Sequence, residues 1–164
     1  MTIRLLSAKR VGDDLAADSI AAEDQSLYLT ASFLIWMIPA YLFLFPAPRT
    51  SDPNFFWAIW LVELALLVLI CIMGIGYCLR KCRVEPKRHF LVDFSCLNAP
   101  TSLTTLAAVW GAFHLITLAV PWFAASPAYD LLRLLASAAA VFMVFLRIGK
   151  QMERVSSLRE SGRR

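Results

Sequence analysis

Charged side chains are scarce in this sequence, and long stretches of it have none. Of the 164 residues, 17% are Asp, Glu, Lys or Arg, whereas 59% are hydrophobic, and the mean hydropathy is +0.64. A soluble domain carries roughly a quarter of charged residues. The composition therefore excludes an ordinary water-soluble fold and a nucleic-acid-binding module, and it indicates a membrane protein.

Residues that carry catalysis or bind metals are also few: the chain has 6 glycines, 2 histidines and 4 cysteines. The sequence has no glycine-rich phosphate loop after a predicted strand and no nucleophile flanked by a base and an orienting group. Cys78 and Cys82 lie four residues apart with Cys96 and His89 nearby, but the usual two-residue spacing of zinc ligands is missing. We therefore predict a non-enzymatic protein without a metal or another cofactor.

Four apolar stretches have the length of about 17 to 25 residues that a helix needs to cross a bilayer. They are residues 28–47, 55–79, 103–123 and 129–146. Unpaired backbone groups are costly in hydrocarbon, so helices are expected at all four. The sequence predicts an all-α fold, an integral membrane four-helix bundle over residues 28–147.

Three prolines indicate where these spans begin. Pro53 follows Asp and Pro127 follows Ser, and proline is favoured at the first helical position after such N-capping residues. Pro100 gives a similar signal before the third span. Residues 90–97 would then form an interfacial segment that leads into this span.

The basic residues fall mainly on one side of the predicted bundle. Fourteen of the 16 lie in the N-terminal tail, in the connection between the second and third spans, or at the C-terminal end, which leaves Arg49 and Arg133 for the other side. Loops rich in Lys and Arg stay on the cytoplasmic side. We therefore expect a multi-pass protein of a bacterial inner membrane or an organelle membrane, with both termini cytoplasmic.

The two tails differ in charge and pattern. Residues 1–27 form an acidic tail, and residues 148–164 form a basic tail in which Ile148, Met152 and Val155 recur at helical spacing. A helical cytoplasmic extension of the fourth span is therefore predicted. The basic residues near the cytoplasmic ends of the spans are expected to contact anionic lipid or an acidic partner; alternatively, the acidic tail folds back onto them. These basic residues are Arg80, Lys81, Arg83, Lys87, Arg88, Arg147, Lys150 and Arg154.

Glu63 is the charged residue within the second span. It lies about 12 Å below the outer boundary, and His114 on the antiparallel third span lies about 13 Å below it. Because these depths match, we expect the two residues to face each other as an intramembrane polar site. The pair would either set helix register or exchange protons along a permeation path; His114 could instead ligate a haem shared with another subunit. Asp130 and Arg133 are expected to pair with each other on the fourth span.

These features lead to one functional prediction with two alternatives. The small residues Ala107 and Gly111 and the stretch 136–140 allow the third and fourth spans to approach each other or another subunit closely. We predict a structural or assembly subunit of a membrane complex or homo-oligomer, whose partners are the lipid bilayer and other membrane subunits or copies of itself. The alternatives are a small proton- or cation-linked channel or transporter that uses Glu63 and His114, and a bundle that binds a lipophilic ligand.

Overall fold

A computed structural model describes residues 7–44, 53–82, 86–120 and 127–162, and within these ranges the chain forms five α-helices. The predicted all-α class is confirmed. Among the described residues, three segments are long and apolar enough to cross a membrane: Trp57–Lys81, Phe90–Ala119 and Tyr129–Ser161. The helices are α1 (Ala8–Ala16), α2 (Ala22–Leu44), α3 (Pro53–Lys81), α4 (Pro86–Ala119) and α5 (Pro127–Gly162).

Proline opens three of these helices, but Pro100 does not. Helices α3 and α5 begin at Pro53 and Pro127, as predicted, and α4 begins at Pro86. Pro100 lies inside α4, so it does not mark a helix start, and residues 90–97 belong to the same helix as the predicted third span. Proline removes one backbone donor from a helix, and packing by neighbouring helices can compensate for the loss. Residues 96–102 are all buried, which accounts for the continuous helix.

Helix α5 is the centre of the arrangement. It packs against α3, α4 and α1, whereas α2 packs mainly on α4. Helices α3 and α4 meet marginally, because α5 lies between them, and α2 and α3 do not touch in the part of the chain that the structure describes.

The contact between α3 and α5 depends on two glycines, one on each helix. A Cβ atom added to Gly74 would overlap the ring of Phe145, and one added to Gly149 would overlap the ring of Tyr77. Each helix therefore inserts an aromatic ring over a glycine of the other. The small residues predicted on the third span do not take part in a helix contact among the described residues. Ala107 and Gly111 of α4 are exposed, with open space around the Gly111 Cβ position.

Helix α1, which the sequence did not reveal, packs against the last turns of α5. Val11 and Leu15 are buried there with Met152 and Val155. The α5 helix continues to Gly162, so the predicted helical extension is present. The chain's own N-terminal helix covers Met152 and Val155 of its apolar stripe, whereas Leu158, the last predicted member, is 39% exposed.

Candidate functional site

Glu63 is buried and forms an ion pair with α5. Its side chain is 2% exposed, and Oε2 lies 3.1 Å from Nη2 of Arg133. Ser137, one turn after Arg133, donates its hydroxyl to the Arg133 carbonyl oxygen at 2.9 Å. Among the described residues, the second carboxylate oxygen, Oε1, is buried and accepts no hydrogen bond. The carboxylate therefore has Arg133 as its cationic partner, and the Ser137 side chain also interacts with it.

The structure does not bring Glu63 and His114 together. His114 is exposed on α4, whereas Glu63 is buried against α5. Equal depth did not imply contact, because α5 separates most of α3 from α4. The predicted pairing of Arg133 with Asp130 also missed the main partner of Arg133, which is Glu63. The sequence did contain a sign of this pair. Arg133 is the one basic residue within the fourth predicted span, and its depth is close to that of Glu63 in the second span.

Glu63 lines an apolar cavity of ≈ 390 Å³ between α3 and the other long helices. The α3 wall runs from Trp60 to Ile75, which is about 22 Å at 1.5 Å per residue. Val68 and Ile72 in this wall are 50% and 66% exposed, so the cavity opens sideways at the exposed face of α3. Glu63 and Ser137 contribute the polar side chains, and three indole rings contribute much of the remaining wall. The opposite side is formed by Trp36 of α2, Leu106 and Trp110 of α4, and Val141 of α5.

A second buried ion pair lies at the other end of α5. Both nitrogens of the Arg159 guanidinium contact the carboxylate of Asp93, at 2.7 and 3.1 Å, and Nη2 also donates to the Leu15 carbonyl oxygen at 2.9 Å. The side chain of Asp93 is 4% exposed. We call Arg159, Asp93 and the Leu15 carbonyl the α1 clamp, because together they join α1, α4 and α5.

Some of the basic residues predicted to contact lipid or a partner instead bind other side chains of this protein. Arg154 pairs with Asp13 of α1 at 2.7 Å, and Lys81 pairs with Glu153 at 2.9 Å. Arg147 donates to the Thr105 hydroxyl at 2.9 Å. The acidic tail therefore does fold back onto part of the basic set. Of the others, Arg80 and Lys150 are exposed, whereas Arg83 and the side chains of Lys87 and Arg88 lie outside the described residues.

The cysteines are free thiols in apolar surroundings. Cys78 and Cys96 are fully buried, and the Cys78 thiol contacts the Phe145 carbonyl oxygen at 3.6 Å. Burial raises the pKa of Cys82 above its ordinary value and Asp93 raises it further, against a smaller opposing effect of Arg159 and Ser156. Within the described residues, no group of three or more His, Cys, Asp and Glu side chains is placed to hold a metal ion. The sulfur atoms therefore act here as packing groups rather than as nucleophiles.

Comparison with known proteins gives no relative for this chain: no family model, no curated protein and no solved structure matches it.

Proposed function

We propose that this chain is a four-span membrane protein in which α2 to α5 cross the bilayer and both termini are cytoplasmic. The exposed faces of the long helices support this arrangement, because they carry large apolar side chains where a soluble protein would carry charge. On α3 these include Leu61, Val62, Leu69, Ile72 and Met73. The bias of Lys and Arg towards one side supports the orientation.

We further propose that the protein binds a lipophilic ligand, without converting it, in the cavity beside Glu63. The observation that carries this proposal is an apolar cavity of ≈ 390 Å³ that has a buried carboxylate in its wall and faces hydrocarbon. Small-molecule sites are typically apolar pockets of about 300 to 1,000 Å³ with few polar groups that fix orientation. Val68 and Ile72 in the α3 wall are 50% and 66% exposed, so a molecule dissolved in the membrane can reach the cavity from this side.

The proton- or cation-linked transport alternative has less support, because Glu63 and His114 do not share a site. The assembly alternative is favoured by one observation: Ala107 and Gly111 form an open small-residue face on α4. Such faces allow a second helix to approach closely. Replacing Gly111 with Leu should dissociate an oligomer if this face is its interface, as particle size in mild detergent would show, whereas Gly76→Leu on α3 serves as the control because its Cβ position is also open.

A cavity-filling variant tests ligand binding. Val68 lines the cavity and is 50% exposed, whereas Val62 on the same helix does not line it and is 58% exposed. The matched variants are therefore Val68→Phe and Val62→Phe. Native mass spectrometry after purification should find a retained lipophilic molecule on the wild-type protein and on Val62→Phe, but little on Val68→Phe. Equal retention by both variants would contradict a binding site in this cavity.

A further inference from the structure

Four exposed basic side chains lie on the surface formed by α1 and the second half of α5. Arg147 and Lys150 are three residues apart on α5, and Lys9 and Arg10 lie in the first turn of α1, which has no acidic residue. Among the described residues, none of the four forms an ion pair with a carboxylate, whereas every other arginine of α5 does. We call these four residues the basic patch, because their positive charge is not balanced within the described chain.

The course of α1 along α5 brings the two halves of the basic patch to the same level. A Cβ atom added to Gly12 would lie 3.5 Å from Oε1 of Gln151, and the Leu15 carbonyl oxygen accepts a hydrogen bond from Arg159. Residue numbers therefore rise together along the two helices, so the first turn of α1 is directed back towards Arg147. At 1.5 Å per residue, both basic pairs lie within about 6 Å of the level of Gly12 and Gln151.

Arg147 lies where α5 leaves the hydrocarbon in the proposed membrane arrangement. It follows Pro127, the first residue of α5, by about 30 Å at 1.5 Å per residue, which matches the thickness of the hydrocarbon core. Phe142 and Met143, about one turn before it, are apolar and 53% and 40% exposed. The surface of α5 thus changes from apolar to basic at the depth of the lipid phosphate groups.

The side chain of Arg147 is held in a position that leaves most of its donors available. Its Nη1 donates to the Thr105 hydroxyl of α4 at 2.9 Å, and Thr105 is 3% exposed. This is the one hydrogen bond that its side chain makes with the described residues. A guanidinium binds phosphate through paired hydrogen bonds, and an ammonium group adds a point charge. Because residues three apart are neighbours on a helix surface, Arg147 and Lys150 can contact the same phosphate.

Resting on the proposed membrane arrangement, but not on the ligand cavity, we infer that the basic patch binds an anionic phospholipid of the cytoplasmic leaflet. Its phosphate lies between Arg147 and Lys150, and Lys9 and Arg10 add to the attraction. A zwitterionic lipid carries the same phosphate, but its head group would bring a further cation to a patch that already holds four positive charges. The bound lipid therefore links α1 and α5 to the membrane surface.

Lipid competition tests the basic patch on the full chain in mild detergent. The probes are phosphatidylglycerol and phosphatidylcholine with identical acyl chains, supplied in equal amounts, and native mass spectrometry counts the molecules of each that the protein retains. The wild-type protein should prefer phosphatidylglycerol. Each basic residue near a membrane surface contributes about a fivefold preference for anionic lipid. The double variant Arg147→Gln with Lys150→Gln should therefore lower the preference at least about tenfold.

The control variant is Arg80→Gln. Arg80 is also exposed and forms no ion pair with a described residue, but it lies on α3 outside the basic patch. Its replacement should leave the lipid preference nearly unchanged, and a loss as large as that of the double variant would overturn the patch. Lys150→Gln alone keeps the test valid if the double variant does not fold, because the Lys150 side chain makes no hydrogen bond or ion pair with the described residues. A loss of about fivefold is expected for it, and no loss would overturn the role of Lys150.

Two further outcomes separate this inference from its premises. Inorganic phosphate at millimolar concentration should leave phosphatidylglycerol bound, and its displacement would mean that the patch takes a free anion rather than a lipid. A wild-type protein without a lipid preference that still needs detergent to stay in solution would overturn the basic patch and leave the membrane arrangement standing. A chain that is soluble without detergent would remove both.

Discussion

Two arginines of α5 bind buried carboxylates, one near each end of the helix. The two sites differ in the number of contacts that hold the arginine and the carboxylate together. At the α1 clamp, Arg159 makes two contacts with Asp93 and a further one with the Leu15 carbonyl oxygen. At the cavity, Arg133 donates to one oxygen of Glu63 at 3.1 Å, and the Ser137 side chain also interacts with this carboxylate. Both acids are almost fully buried, at 4% and 2% exposure.

This difference separates a site that ties three helices together from one that joins two helices beside a cavity. The paired contacts at the clamp meet the bidentate geometry that makes an Arg and carboxylate pair strong, and they fix three helices at once. The pair at the cavity joins two helices, and Glu63 lies in the wall of an apolar space. Burial alone would not distinguish the two acids; the hydrogen bonds that each one accepts do.

Breaking the α1 clamp should have the largest effect. Replacing Arg159 with Leu leaves the Asp93 carboxylate buried without its partner, and removing one member of a buried pair costs about 3 to 5 kcal/mol. Thermal unfolding in detergent should show this loss, together with faster proteolysis within α1. The control is Arg154→Leu, whose pair with Asp13 is substantially exposed on both sides; it should cost about 1 kcal/mol or less. Similar losses for the two variants would contradict the distinction between a clamp and a surface pair.

Replacing both members of each ion pair with leucine should show a difference in stability between the two sites. Glu63→Leu alone should also destabilise the protein, by about 1.5 to 3 kcal/mol, because it removes the 3.1 Å hydrogen bond between the buried carboxylate and the half-buried Arg133 guanidinium. Adding Arg133→Leu should restore most of this stability, since the double variant removes both members of the ion pair. The same double replacement of Asp93 and Arg159 should restore less, because it leaves the Leu15 carbonyl oxygen without its donor. Equal recovery in chemical unfolding experiments would argue against a separate role for the clamp.

A smaller effect is expected at the contact between α3 and α5 that lies between the two ion pairs. Gly74→Ala places a methyl group against the Phe145 ring, and overpacking of this kind costs about 1 to 3 kcal/mol. Gly76→Ala on the same helix meets nothing within 4 Å and should stabilise the helix by up to about 1 kcal/mol through its helix propensity. The two alanine variants should therefore shift the unfolding temperature in opposite directions. A stabilising Gly74→Ala would mean that α3 and α5 are farther apart than in this structure.

The sequence predicted the helical class and two helix starts because those signals are local. Pro53 and Pro127 open α3 and α5 as expected, since the preference of proline for the first helical turn does not depend on tertiary contacts. Pro100 carried the same local signal and was misleading, because buried surroundings allow a proline inside a membrane helix. Helix α1 has nine residues and could not be recognised alone, because so short a helix depends on the partner that covers Val11 and Leu15.

The sequence predicted one residue of the candidate site, Glu63, but neither its partner nor the cavity. Glu63 was recognisable because a carboxylate within an apolar span needs a reason to be there. Its partner was not, because depth along a helix says nothing about the direction in which a side chain points. The cavity was beyond sequence reasoning altogether, since it results from the missing contact between α2 and α3 in the described residues.

Photo-crosslinking tests most directly whether the gap beside Glu63 holds a membrane-soluble molecule. The probe is octadecan-1-ol with a diazirine in the middle of its chain, added to the full protein in bilayers, and the adducts are mapped by peptide mass spectrometry. We predict adducts concentrated on cavity residues such as Val68, Cys71 and Leu106, and their loss in Val68→Phe but not in Val62→Phe. Adducts spread equally over Val62, Leu69 and Met73, which are exposed on α3 without lining the cavity, would contradict the account.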